Sequence, residues 1–168
     1  MTVSPSNPEV AAIRQDVQQS YDALNQLIDG PLAQLPSEKL YQAPGDEWTI
    51  MENLAHIVEF MPYWGDQVAR LVAHPGQNFG RVQQDERRLK EIRDHAHDTL
   101  AQIKTLLPPS YARLQEVLAS LQDSDLQLTG VHSRYGEKPL EWFMEDFVTG
   151  HLRAHLVQIN AALMYFDE

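Results

Sequence analysis

The chain has 168 residues, 43% of them hydrophobic, a size and composition that suit one globular domain with a real core. Its formal charge of −11, spread along the chain, argues against nucleic acid and anionic membranes as partners, since both are met with clustered Lys and Arg. It contains no cysteine, which excludes a disulfide, a thiolate metal ligand and a cysteine nucleophile; any thiol in its chemistry has to arrive as a separate molecule.

Residues 1–8 are polar, with two prolines and two serines and no apolar segment of the signal-peptide kind. They are expected to form a disordered tail ahead of a single domain over 9–168. No apolar run approaches the ~20 residues of a membrane span. With no cysteine and no leader, the expectation is a cytoplasmic protein.

Val10, Ile13, Val17, Tyr21, Leu24 and Leu27 recur at spacings of three and four, the period of an amphipathic helix. Gly30-Pro31 ends it, and a polar stretch with Pro36, Pro44 and Gly45 follows. Thr49-Ile50-Met51-Glu52 is a capping box that opens the second helix, whose apolar face carries Leu54, Ile57, Val58, Met61, Val68 and Leu71. Pro62 falls inside it as a candidate kink, and His74-Pro75-Gly76 ends it.

A helical pattern then runs over residues 82–107, with Val82, Leu89, Ile92, Leu100, Ile103 and Leu107 on one side. Pro108-Pro109 is read as an interruption, followed by a short helix through Leu114, Val117, Leu118 and Leu121. Whether these are one broken helix or two separate ones, and so whether there is an extra helix, stays open. Residues 123–138 read as a loop, Pro139 suits a first helical turn, and Trp142, Phe143, Phe147, Leu152, Leu156, Ile159 and Leu163 mark the last helix. No stretch reads as a strand. The expected class is all-α, a bundle of about four main helices.

The informative segment is His151-Leu152-Arg153-Ala154-His155. Residues four apart share a helix face, with Cβ atoms roughly 5–6 Å apart, so both imidazoles can reach one metal ion. A third ligand has to come from another element, and His56, mid-helix between Ala55 and Ile57, is the candidate. Three neutral imidazoles with one open position suit Zn²⁺, Ni²⁺ or Fe²⁺. A surface pair and a hydrogen-bonded core histidine are the plain alternatives, and spacing leaves them open. A zincin is excluded because Leu152 stands where its Glu belongs, and a di-iron site because there is no Glu-x-x-His pair.

The remaining polar groups are secondary. Glu59 and Gln158, each about one turn beyond a candidate ligand, are placed to orient an imidazole. Tyr63 and Trp64 are candidates for a pocket wall, and Arg134, Tyr135 and Lys138 for contact with an anionic substrate, though aromatic packing and a solvated loop explain them as simply. His95 and His97, two apart, share no helix face and are expected near solvent; His74 and His132 lie in expected loops and receive no role.

Trp48-Thr49 followed by His56-Ile57 resembles the second-helix signature of the DinB/YfiT-like superfamily. His151-Leu152-Arg153-Ala154-His155-Leu156-Val157-Gln158-Ile159 resembles its last helix, and the loop over 130–136 resembles the stretch before that helix. The resemblance implies a four-helix bundle with a long crossover connection and a single divalent metal, often zinc or nickel, held by His56, His151 and His155. It also implies homodimers and a small-molecule substrate, with relatives that are metal-dependent transferases and isomerases using low-molecular-weight thiols such as bacillithiol, mycothiol or glutathione. The leading expectation is a small-thiol-dependent transferase or hydrolase; a non-catalytic metal- or ligand-binding bundle and a purely structural helical dimer are the alternatives. Many members have no known activity. Residues 78–109 depart from the family pattern, being longer and more charged, which implies a different pocket rim.

Overall fold

A computed structural model describes residues 8–167. The expected tail at 1–8 lies outside the described residues except for its last position, where the first helix, α1 (Pro8–Asp29), already begins. A one-turn helix, α2 (Pro31–Gln34), and a 3₁₀ turn, Ser37–Tyr41, follow before α3 (Ile50–Ala73). Next come α4 (Glu86–His95) and α5 (Leu100–Ser120). The last segment is α6 (Leu140–Met144), a π-helical turn Glu145–Thr149 and α7 (Gly150–Phe166).

The four long helices form the bundle. α3 packs on α5 and α7, and α1 packs on the same two, so α1 and α3 occupy opposite corners. Helices joined by a short loop would be neighbours; the connection over 30–49 is long because it crosses the diagonal. Val17, Leu24, Leu54, Phe60, Leu107, Leu114, Phe143 and Ile159, contributed by these helices and by α6, are all at most 1% exposed and share one core.

The capping box that opens α3 is formed as the sequence predicts: Glu52 N donates to Thr49 Oγ1 at 3.0 Å and Thr49 N to Glu52 Oε1 at 3.1 Å. Pro62 does not break the helix. Its ring nitrogen leaves the Val58 carbonyl without an amide partner, and Ser110 Oγ of α5 donates to that carbonyl at 2.6 Å. The loss within one helix is therefore repaired by its neighbour.

Two expectations are corrected. Pro108-Pro109 does not interrupt: α5 runs through both, because Ile103, Leu107, Tyr111, Leu114 and Leu118 are buried between α3 and α1 and this packing outweighs the missing amides. The true break lies earlier, at 96–99, so 82–107 is not one helix. Thr99 and Gln102 form a second capping box that starts α5, and Asp85 caps α4 through Arg88 N at 3.0 Å. The extra helix is therefore α4. Val82, placed on a helical face by the periodicity, lies before it and is 43% exposed.

The loop over 123–138 holds a 3₁₀ turn, Asp123–Gln127, and an antiparallel hairpin of β1 (Thr129–His132) and β2 (Gly136–Pro139), where no strand was expected. The strands are four residues each, too short for an alternating pattern to show. The hairpin anchors the chain leaving α3. Gly76 N donates to Thr129 O, Val131 N to Gln77 O and Phe79 N to Val131 O, at 2.8–3.0 Å. Gly80, with φ +78, then turns the chain where a Cβ would meet His132 and Trp64 at 3.0–3.1 Å.

Candidate metal centre

His56 on α3 and His151 and His155 on α7 meet at the α3–α7 contact, and one nitrogen of each lies within 4.8 Å of the others. His56 and His155 are 1% and 5% exposed; His151 is half-buried. Two of the three outward nitrogens are hydrogen-bonded, and that of His56 lies beside a carboxylate. His155 Nδ1 donates to Asn53 Oδ1 at 2.7 Å, and Asn53 Nδ2 donates to Thr49 O, which fixes the amide's orientation. His151 Nδ1 donates to the Phe147 carbonyl at 3.2 Å, and Glu59 Oε2 lies 3.3 Å from His56 Nδ1. Protons on Nδ1 of His151 and His155 leave the Nε2 lone pairs of these two rings free for a ligand.

Nε2 of His56 and of His151 are 3.2 Å apart. Two nitrogens bound to one tetrahedral ion at ~2.0–2.1 Å stand roughly 3.3–3.4 Å apart. At that spacing one Nε2–H can bond to the other ring, and a divalent ion can take that proton's place, so the donor set fits such an ion by type and, for this pair, by separation. Burial is the main reason the imidazoles are held neutral: it brings His56 down to about 3, with Arg88 and Arg81 adding to the effect. His151 is brought to about 3 and His155 to about 2, each again by burial first and then by the neighbouring imidazole. Neutral imidazole is the form that binds metal.

Local sequence aims the α7 ligands. In the π turn, Gly150 N donates to Glu145 O, five residues back, and a Cβ on Gly150 would lie 2.3 Å from that oxygen. Thr149 Oγ1 adds bonds to Met144 O and Glu145 Oε2. Phe60 stacks on His151 with centroids 4.1 Å apart, and Trp48 meets His56 edge-on at 5.6 Å.

A cavity of about 190 Å³ opens beside His56 and His151, walled by Trp64 and Phe147 and bordered by Arg81, Arg88 and Tyr135. Of the residues singled out from the sequence, Trp64 lies on this wall and Glu59 touches His56, while Tyr63 sits in an adjoining groove beneath the Arg81 guanidinium, 3.7 Å from its ring centre. Burial, the main cause, raises the Tyr63 phenol to about 12. Gln158 is exposed, in a groove with Trp48 and Asn53 beside His155. His95 is half-buried against Asp98, and Lys138 lies near Trp142, away from the cavity.

Asn53, Arg81, Arg88 and His132 were not singled out. His132, given no role, is 3% exposed; its Nε2 donates to Arg81 O at 3.1 Å and its Nδ1 accepts from Arg134 N at 3.0 Å. Asn53 was legible in principle, one turn before His56 and close behind the cap. The arginines were not, because only the hairpin brings residues 81–88 over the histidines.

The fold and cluster define a helical bundle of crossed topology with a three-imidazole centre between two helices. A sequence profile of the DinB superfamily matches residues 16–159, and the chain belongs to that superfamily. Among solved structures it is similar to YfiT from Bacillus subtilis, described as a probable metal-dependent hydrolase with an unusual four-helix bundle topology (TM-score 0.71, 16% identity, 96% of this chain and 91% of that one). It is also similar to the mycothiol-dependent maleylpyruvate isomerase (0.66, 11%, 89% and 60%) and to a histidine-to-alanine mutant of it (0.67, 10%, 89% and 60%). The chain thus spans 60% of the isomerase's length. No curated protein matches its sequence.

Proposed function

We propose that this protein is a mononuclear metal-dependent enzyme in which His56, His151 and His155 hold one divalent transition metal, zinc or nickel by preference, with iron the third candidate. The observation that carries this reading is the convergence of three neutral imidazoles, each with a partner near its other nitrogen, at the edge of an open cavity. A closed structural site would need a fourth protein ligand, and none joins the cluster among the described residues.

A divalent ion held there supplies Lewis acidity that brings the pKa of a water or thiol toward neutrality. The surrounding residues do the rest. Asn53 and the Phe147 carbonyl keep His155 and His151 in one orientation and one tautomer, and Glu59 lies beside His56. Trp64, Phe147 and Phe60 exclude bulk water from one side of the pocket. With no cysteine in the chain, a thiol nucleophile has to be a low-molecular-weight thiol entering as co-substrate. The likeness to YfiT and to a mycothiol-dependent isomerase supports a hydrolase or a thiol-dependent transferase acting on a small molecule. The same reading places the protein in the cytoplasm as a homodimer.

Elemental analysis of untagged protein, after loading with Zn²⁺ or Ni²⁺, tests the centre. About one equivalent per chain is expected, with most of it lost in His151→Ala. Absence of bound metal in the loaded wild type would end this reading.

A further inference from the structure

The cavity beside the histidines is bordered by two arginines, Arg81 and Arg88, in a chain whose formal charge is −11. Arg81 is spoken for: its guanidinium pairs with Glu59 at 2.5 Å and lies over Tyr63. Arg88 is not. It is half-buried, its Nη1 donates to Gln83 O at 2.8 Å, and it sits 5.6 Å from the Trp48 ring centre, yet no carboxylate among the described residues lies within salt-bridge distance of it. Its nearest charged neighbours include Arg81, which, after burial, is the next largest influence depressing its pKa.

Arg88, with Nη1 on Gln83 O and its other N–H groups without a carboxylate, borders the space next to His56 and His151. A divalent ion would add further positive charge there, against one buried carboxylate, Glu59, and one exposed at the rim, Asp146.

We propose that Arg88 anchors the carboxylate of a small organic acid in this cavity. A planar guanidinium matches a carboxylate through two parallel N–H···O bonds, and a single free fork suits one carboxylate better than a phosphate dianion, which calls for more donors. The cavity's 190 Å³ is the share of about six water molecules, so the ligand is small or only its acidic end enters. The role of this acid as the reactant rests on the metal-dependent reading above; its binding does not.

The test is calorimetric titration of metal-free and Zn²⁺-loaded protein with propionate, with its neutral amide propionamide, and with inorganic phosphate. Propionate is expected to bind and propionamide not. Arg88→Gln is expected to weaken propionate by about tenfold or more, and Arg88→Lys to fall between, since it keeps charge without the fork. Arg93→Gln, the same charge change on the exposed end of α4, should leave binding unaltered, and thermal melts check that each variant is folded. Equal binding by wild type and folded Arg88→Gln, or tighter binding of phosphate than propionate, overturns the proposal. If Zn²⁺ fails to load while Arg88-dependent propionate binding persists, the metal reading falls and the acid site stands.

Discussion

Asn53 offers the sharpest test of how the centre is held. Its Oδ1 accepts from His155 Nδ1 at 2.7 Å, and both residues are buried, at 1% and 5% exposure. Asn53→Ala removes the acceptor 2.7 Å from that N–H and frees the ring to turn or to change tautomer. Loss of such an outer partner typically costs 10–100-fold in metal affinity, about 1.4–2.8 kcal/mol. The metal-free protein also loses about 1–3 kcal/mol for the orphaned donor, at roughly 2–4 °C of Tm per kcal/mol for a chain of this size. Asn53→Asp keeps an acceptor in place and makes the bond charge-assisted, so its affinity should equal or exceed that of wild type. Competition against a chromophoric zinc chelator measures the Kd values, and melts of metal-free protein measure the stability. If Asn53→Ala binds Zn²⁺ as tightly as wild type, or if Asn53→Asp behaves like Asn53→Ala, the role given to this hydrogen bond is wrong.

Three further outcomes are expected. Gly150→Ala places a Cβ 2.3 Å from Glu145 O, so the π turn has to rearrange; a loss of about 1–3 kcal/mol in chemical denaturation, with weaker metal binding, is expected, and wild-type values for both would contradict the geometry. Ser110→Ala leaves the Val58 carbonyl without its cross-helix donor, and urea unfolding should show a loss of about 1 kcal/mol or more with an unchanged m-value. The metal-free protein should lose stability as pH falls. The three histidines have folded pKa values of about 3, 3 and 2, below the unfolded value of 6.5, so the unfolded state binds more protons below that value. The stability is present above pH 6.5 and drains between 6.5 and 3, by about 2 kcal/mol per histidine at pH 5. Glu59, raised by burial, opposes this in the acid part of the window. Melts between pH 7 and 5 that are flat, or no flatter in His155→Leu, would refute the assignment.

The helices and their strong starts were legible locally. The Thr49–Glu52 box and the three-to-four spacing in α1, α3 and α7 depend on residues a turn apart, and a helix satisfies its own backbone. The pairing of His151 with His155 follows from the same period. Other features depend on contacts across the fold. Pro108-Pro109 reads as a stop when only the helix's own hydrogen bonds are counted, yet α5 passes through it because a buried face and Ser110 reach α3. The break at 96–99 carried its own signal, the Thr99–Gln102 box, hidden by apolar residues that continue in period across it.

By itself, then, the sequence determined an all-helical chain with a histidine pair on one helix face, because helix periodicity and caps act over neighbouring residues. Its mid-helix place between apolar neighbours made His56 the candidate third member, and the family motifs strengthened it. Only the tertiary structure decided that the three imidazoles converge, with Asn53 holding His155 from another helix and the Phe147 carbonyl holding His151 from the preceding turn. It alone decided that Arg81 and Arg88 stand over that cluster. Their approach is set by hydrogen bonds from residues 76–81 to a hairpin some fifty residues further along, and such pairing at a distance leaves no periodic trace in the chain.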